Sequence, residues 1–225
     1  MRANCPAGRD SRRDRSFIGR NVIFSLLFLF ACGILGAQTR PDALEEYRRG
    51  NYDRAVEICK SEIAADSRNM DAHVVICWSL IRLARYQEAW RYAGAGRNIS
   101  RYDPRIIEIL GEVSYFEGRN TEALQYFQEY VNLTPEGQRI DTVYYFIGEI
   151  YIRLGRYHHA DIALSTAVHY QPGNAAWWTR LAYAKENAGE LQQAVTAYEQ
   201  ALNLNAQLSD ARRGLERSRQ ALRSR

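Results

Sequence analysis

Few residues of this chain combine the type and the spacing that catalysis or metal binding requires. His158, His159 and Asp161 come nearest to a set of metal ligands, but neighbouring residues on a helix project about 100° apart, so the two imidazoles would not converge on one ion. The sequence has no glycine-rich phosphate loop and no GxSxG or HExxH motif. Its four histidines lack a partner at the spacing of an activated nucleophile. We therefore predict a protein without catalytic residues, bound metal or cofactor.

The net charge of +4 does not indicate a nucleic-acid partner, because it is concentrated at the two ends of the chain. Residues 1–37 hold six Arg and two Asp, which leaves 24 basic and 24 acidic residues in the remainder. Residues 210–225 hold six further Arg against two acidic residues, so the region between carries about −4. The 46% hydrophobic and 12% aromatic content indicates a folded core, and only 5 Pro argue against an all-β design.

Residues 1–37 have the order of a secretory signal. A basic region precedes an uncharged apolar stretch over 22–37, which ends in small residues. We predict export with cleavage after Ala37; a retained N-terminal anchor is the alternative, although this stretch is shorter than the roughly 20 residues of a spanning helix. Residues 29–32 resemble a bacterial lipobox, which implies lipidation of Cys32 as a further alternative. The expected location is the periplasm, or a membrane facing it with contact only through the N-terminus.

One pattern repeats five times after this segment. Six-residue strings ending in Ala recur at offsets of 34, 34, 37 and 34 residues, and a small residue stands twelve positions before each of these alanines. The strings are 50–55, 84–89, 118–123, 155–160 and 189–194, and the small residues are Ala43, Cys77, Gly111, Gly148 and Ala182. Each copy holds two segments with apolar residues at helical spacing. The pattern predicts helix pairs that bury a continuous core only by stacking on their neighbours.

These repeats resemble a tetratricopeptide repeat (TPR) array over about residues 36–208. The fifth copy carries seven signature residues: Trp178, Leu181, Ala182, Gly189, Ala194, Tyr198 and Ala201. The resemblance implies an all-α, right-handed α-solenoid of five helix pairs in a TPR domain over 38–225. The repeats would span about 36–69, 70–103, 104–137, 141–174 and 175–208, and Arg-rich residues 209–222 would form the C-terminal capping helix.

Several glycines and one insertion have predicted roles in this array. Gly50, Gly118, Gly155 and Gly189 suit the left-handed cap that ends a first helix. Gly94 and Gly96 fall inside the second helix of the second copy, where we predict close backbone packing and keep a hinge as the alternative. Three extra residues, 138–140, lengthen the junction between the third and fourth copies.

The resemblance places the first helix of each pair on a concave face, and family positions carried onto this sequence give a binding groove. The predicted groove residues are Trp78, Arg82, Glu112, Tyr115, Phe116, Tyr145, Glu149, Arg153 and Tyr183. Rigid aromatics and Arg are the residue types that dominate binding hot spots. Some of these rings are instead expected to pack between repeats.

The resemblance also implies that the helices carrying Cys59 and Cys77 are packed neighbours. An oxidising compartment would then permit a disulfide between them, and the alternative is that both serve as small apolar core residues.

We expect a non-enzymatic scaffold or adaptor of the bacterial cell envelope that binds a protein or peptide partner, with homo-oligomerisation left open. The alternative is a ligand-delivery component whose oligomer forms an apolar pore serving a transporter-associated binding protein. An outer-membrane assembly lipoprotein is a third possibility, which depends on acylation of Cys32.

Overall fold

The structure, a computed structural model, describes residues 42–224. Eleven α-helices and no β-strand occur in these residues. In chain order they are α1 (Ala43–Arg48), α2 (Tyr52–Ala65), α3 (Met70–Arg82), α4 (Tyr86–Ile99), α5 (Pro104–Phe116), α6 (Asn120–Leu133), α7 (Ile140–Arg153), α8 (Tyr157–Tyr170), α9 (Ala175–Asn187), α10 (Leu191–Leu204) and α11 (Ser209–Arg223). The predicted five helix pairs with a C-terminal capping helix are confirmed. The predictions for 1–37, including the lipidation of Cys32, lie outside the described residues.

Short polar side chains cap the N-termini of several of these helices. The Asp42 carboxylate accepts a hydrogen bond from the backbone N–H of Leu44 at 2.8 Å, and the Asn174 side chain accepts one from Trp177 at 3.2 Å. The helix α1 has only 6 residues, whereas α3, α5, α7 and α9 have 13 or 14. Helix α1 therefore offers less helical surface to its neighbours than those four helices do.

The turn within each helix pair uses a residue in the left-handed region. Gly50, Gly118, Gly155 and Gly189 have φ between 68° and 84°, as predicted for helix caps. The second pair places Ala84 at the same point with φ 56°, where a Cβ is disfavoured sterically. One of the five turns is consequently strained in a way that the other four avoid.

The helices lie in two layers. The odd-numbered helices, which we call the first helices, approach one another backbone to backbone from pair to pair. Within residues 42–224 the backbones of the even-numbered second helices approach only those of first helices, and second helices meet one another through long side chains such as Arg97 and Glu129. The first helices therefore form the inner, concave face of the stack. No helix between Asp42 and Ser224 is long and apolar enough to cross a bilayer.

Small residues on the first helices let the two layers approach closely. A Cβ on Gly111 would lie 2.5 Å from the Phe127 ring, and one on Gly148 would lie 2.5 Å from the Leu164 side chain. Gly96, on the second helix α4, is packed in the same way, since a Cβ added there would lie 2.7 Å from Ile106. Gly94 has open space around it, so the close-packing prediction is confirmed for Gly96 and is wrong for Gly94.

Candidate functional site

The concave face brings together all nine predicted groove residues, but with very different exposure. Arg82, Arg153 and Phe116 are exposed, the last at 41%. Trp78, Tyr145 and Tyr183 are half-buried. Tyr115, Glu112 and Glu149 are buried at 8%, 7% and 8% exposure. Six of the nine residues can therefore reach a partner directly, and the buried three act within the protein.

Three ion pairs between consecutive repeats explain the buried carboxylates. Arg180 on α9 binds Glu149 on α7 through Nε at 2.6 Å and Nη2 at 2.9 Å. Arg217 on α11 binds Glu186 on α9 in the same way, with both contacts at 2.9 Å. We call these contacts, together with that of Arg139 to Glu108, the arginine clasps.

The third clasp belongs to the three-residue insertion. Arg139, which directly precedes α7, donates through Nε at 3.1 Å and through Nη2 at 2.8 Å to Glu108 on α5. Its Nη2 also lies 2.6 Å from Glu112, so two carboxylates share one guanidinium. In each clasp the arginine follows its glutamate by 31 residues. The insertion therefore supplies a guanidinium group that binds two buried glutamates, in addition to lengthening a loop.

The shared arginine leaves Glu112 in an unfavourable environment for a charge. Burial raises the pKa of Glu112 well above 4.5, the negative charge of Glu108 raises it further, and Arg139 offsets only part of the effect. Glu112 consequently keeps its proton at a pH at which an exposed glutamate has lost it. The prediction of Glu112 and Glu149 as partner contacts is corrected here, because both side chains are already held by arginines of this chain.

The Tyr115 ring is also covered by other residues of this chain. The Arg153 guanidinium lies 3.6 Å from the centre of this ring, and its Nη1 donates to the Tyr115 carbonyl oxygen at 2.8 Å. The Phe146 ring packs 4.8 Å from its centroid on another side. Tyr115 is therefore a buried packing residue, as expected from the sequence for some of the predicted groove rings.

A change in the sequence of the second helices accounts for the position of Arg153. Three second helices begin with Tyr, and the Tyr at the start of α2 or α4 packs on the residue 30 positions later: Tyr52 on Arg82 at 5.2 Å and Tyr86 on Phe116 at 5.1 Å. The helix α6 begins with Asn120 instead, which has no ring to offer to Arg153, 33 residues later and beyond the three-residue insertion. Arg153 turns to the ring of Tyr115 in the preceding first helix.

Two arginines on this face have no carboxylate partner within the described residues. Arg82 and Arg153 lie over tyrosine rings, and neither forms an ion pair with a carboxylate in residues 42–224. Glu108, Glu149 and Glu186 are matched by their clasps, and Glu112 is disposed to stay neutral. Arg82 and Arg153 are consequently available to a negatively charged group of a partner.

Half-buried rings line the same face. Trp78 packs on Tyr47 with ring centroids 5.8 Å apart, and Tyr145 stacks on Trp177 at 5.0 Å. Tyr183 lies 5.2 Å from the Arg180 guanidinium. The sequence interpretation missed Tyr47, Trp177 and Arg180. The Glu-to-Arg spacing of 31 residues is a signal in the sequence from which Arg180 could have been found.

Several cavities open on the described part of the chain. One, of about 250 Å³, lies between α9 and α11. Another, of about 450 Å³, lies beside Gln87, Trp90, Glu117 and Arg119. A third, of about 640 Å³, lies along α6, and the residues that surround it are Tyr102, Thr121, Leu124, Gln125, Gln128, Glu129, Asn132, Leu133, Ile147 and Tyr151. No predicted groove residue lines the cavity along α6.

The remaining chemistry-bearing residues do not assemble into a site. Asp161 forms an ion pair with Lys185 at 2.7 Å, and the His159 ring faces Tyr151, so these side chains point to different partners. Between Asp42 and Ser224 no group of three potential ligands could hold a metal ion. Cys59 and Cys77 are buried and free, and the structure contains no disulfide between them. Burial raises the pKa of the Cys59 thiol to about 12, so it remains an uncharged core residue.

Comparison with known proteins agrees with this architecture. Residues 145–211 match the family model described as tetratricopeptide repeat. No curated protein matches the sequence. The crystal structure of the APC/C hetero-tetramer Cut9–Hcn1 is similar with a TM-score of 0.71 and 19% identity, over 78% of this chain and 35% of that chain. The present chain thus spans about a third of the length of that relative.

Two other similar structures are covered over most of their length. MamA from Desulfovibrio magneticus RS-1, from residue 41 to its end, has a TM-score of 0.64 and 16% identity, over 74% of this chain and 93% of that chain. YrrB, described as a TPR protein with an unusual peptide-binding site, has a TM-score of 0.66 and 14% identity, over 76% and 86% of the two chains. Such identities establish the fold alone. Residues 42–224 thus have the fold of a tetratricopeptide repeat solenoid, and 145–211 carry the sequence signature of that repeat.

Proposed function

We propose that this chain is a non-enzymatic scaffold of the bacterial cell envelope whose concave face binds a segment of a protein partner. The observation that carries this proposal is the row of reachable rings on four successive first helices: Trp78, Phe116, Tyr145 and Tyr183. Aromatic rings bury a large apolar area at a small cost in side-chain entropy, which is why they anchor protein interfaces. The peptide-binding site in the description of YrrB supports a peptide-sized partner.

The envelope location rests on the sequence of residues 1–37. The order of basic, apolar and small residues there is that of an export signal. Mass spectrometry of the protein from fractionated cells tests this part. An N-terminus at residue 38, or at an acylated Cys32, in the envelope fraction would support it, and an intact Met1 in the cytoplasmic fraction would refute it.

The concave face gives less support to the ligand-delivery alternative. An apolar pore requires an apolar lining, whereas this face carries three arginine clasps and two further arginines. These charges would have to be desolvated by an apolar ligand, which is costly. They suit a polypeptide, which offers backbone and side-chain hydrogen-bond partners.

A photocrosslinker placed on each layer tests the binding face. We would replace Phe116 on the concave face, or Tyr170 on the second-helix layer, with p-benzoylphenylalanine; the two side chains are 41% and 45% exposed. We expect irradiation of living cells to yield a discrete crosslinked protein from position 116 and none from position 170. Crosslinking from Tyr170 alone would contradict the concave-face proposal.

A further inference from the structure

One of the cavities described above has a concentration of guanidinium groups. It lies between α9 and α11 and has a volume of about 250 Å³. Its lining residues are Thr179, Arg180, Tyr183, Tyr198, Asp210, Arg213 and Arg217. Three arginines and one carboxylate therefore surround a space that opens beside the last two first helices. We call it the arginine pocket.

Two of the arginines use only one edge of the guanidinium for their clasps. Arg180 and Arg217 each bind a glutamate through Nε and Nη2, and Nη1 of both has no hydrogen-bond partner in residues 42–224. An arginine has five N–H donors, so a further acceptor can bind at the other edge. Both side chains thus have donors to spare.

The glutamates of these clasps lie behind their arginines. The side chains of Glu149 and Glu186 are 10% and 14% exposed, whereas those of Arg180 and Arg217 are 35% and 54% exposed. The hydroxyl group of Tyr198 donates to Glu186 at 2.7 Å and covers it further. A solute that enters the pocket therefore meets guanidinium groups before it meets the buried carboxylates.

The remaining lining residues add to this preference. Arg213 is 63% exposed and pairs with Asp210, which is itself 77% exposed and is the one acidic residue in the lining. The Tyr183 hydroxyl forms no hydrogen bond to any other residue between 42 and 224, so it is available as a donor. The accessible hydrogen-bonding groups are thus mostly donors, and most of them are cationic.

We propose that the arginine pocket binds a carboxylate of an acidic peptide segment, an inference that rests on the proposed function of the concave face. A carboxylate is planar and matches the paired N–H groups of a guanidinium. The pocket also continues the positive face on which Arg82 and Arg153 lack carboxylate partners within the described residues. An acidic segment along the first helices would meet arginines at several points, with aromatic rings between them.

Fluorescence anisotropy with short peptides tests this assignment on the full chain. The probes are fluorescein-labelled hexaglutamate and hexaglutamine, each with a free and with an amidated C-terminus. We expect hexaglutamate to bind, hexaglutamine to bind far more weakly, and added salt to weaken the complex because the charges are partly exposed. Loss of binding on amidation would assign the pocket to a C-terminal carboxylate, and retained binding would assign it to acidic side chains.

Two variants of α11 locate the contact. Arg213→Gln should weaken hexaglutamate binding about fivefold, the upper range for an exposed ion pair. Arg219→Gln is the matched control, because Arg219 lies on the same helix, is 51% exposed and pairs with Glu199, but does not line the pocket. Asp210→Asn should tighten binding, since it removes the competing carboxylate. Circular dichroism would verify that each variant remains helical.

The outcomes separate this inference from the proposed function. Equal weakening by Arg213→Gln and Arg219→Gln, or no effect of either, would overturn the pocket, as would equal binding of the two peptides. Crosslinking from Phe116 depends on no pocket residue. A failed pocket with a successful Phe116 crosslink would therefore leave the concave-face function standing, and a failed crosslink would count against that function itself.

Discussion

The junctions of α7 with α5 and with α9 both bury glutamates, but they compensate the buried negative charge differently. Between α7 and α9, Glu149 meets one arginine, and the neighbouring Tyr145 stacks on Trp177 and stays reachable. Between α5 and α7, two glutamates share Arg139, and Tyr115 is covered by Arg153. The three-residue insertion distinguishes the second case. One junction thus keeps a ring for recognition, and the other uses its polar and aromatic side chains to hold repeats together.

The largest expected effect is the loss of the arginine that serves two acids. Arg139→Gln should reduce the free energy of unfolding by about 3 kcal/mol, because it leaves Glu108 buried without a cation and removes a hydrogen bond to Glu112. The matched variant Arg217→Gln should cost about 1 kcal/mol, since Glu186 keeps the Tyr198 hydroxyl and is more exposed. Urea titration measures both variants. Equal losses would show that the two-to-one arrangement has no special role.

Substitutions of the aromatic rings should distinguish residues that bind the partner from residues that stabilise the fold. Tyr145→Ala and Trp78→Ala should each weaken the partner captured from position 116 at least tenfold, as about 2 kcal/mol is typical of an aromatic hot spot. Tyr115→Ala should instead lower the free energy of unfolding by about 3 kcal/mol, because its ring is buried under Arg153. Titration of the partner and thermal melts distinguish these results. A stable Tyr115→Ala variant that no longer binds would reverse our assignment.

Because Glu112 keeps its proton in the folded state, the stability of the protein depends on pH through this residue. Its folded-state pKa is raised above 4.5, so the folded state holds a proton that the unfolded state releases. Stability from this group is complete below about pH 4.5 and is lost as the pH rises through the folded-state pKa. Glu112→Gln should therefore stabilise the protein at pH 7 by on the order of 1 kcal/mol and change little at pH 4. Denaturation at the two pH values, with Glu149→Gln as the contrasting variant, measures the effect.

The smallest effects concern local backbone strain in the second repeat. Ala84→Gly should stabilise the protein by about 1 kcal/mol, because Ala84 has φ 56° where four other turns have Gly. Gly94→Ala should raise the free energy of unfolding by about 0.5–1 kcal/mol, since a Cβ at this position meets open space. Gly96→Ala should lower it, because its Cβ would collide with Ile106. Differential scanning calorimetry resolves these changes. A destabilised Ala84→Gly variant would contradict the strain argument.

Local and periodic features were predictable from the sequence. The recurrence of small residues at 43, 77, 111, 148 and 182 specifies where helices approach, and Gly at the turns specifies where they end. These features depend on neighbours within one or two repeats, which a periodic sequence displays directly.

Exposure on the concave face was not predictable from repeat positions. Tyr115 and Tyr145 were both assigned to the groove, yet one is covered and the other is reachable. Tyr145 stacks on Trp177 and stays half-buried, whereas Arg153 lies over the ring of Tyr115. Such a contact joins residues 38 positions apart through a side-chain rotation, and no position-by-position pattern contains it.

The arginine clasps also bear on how this chain folds. Each glutamate belongs to one repeat and its cation to the next, so a repeat that has folded alone holds an uncompensated charge until its successor docks. Docking energy is thereby concentrated in the nearest-neighbour interfaces, at the expense of the intrinsic stability of a single repeat. The coupling between neighbouring repeats is therefore strong, and the stability of an isolated repeat is low. Partly folded arrays should therefore be sparsely populated, and a fragment that ends at residue 174 would leave Glu149 without Arg180 and would unfold from that end.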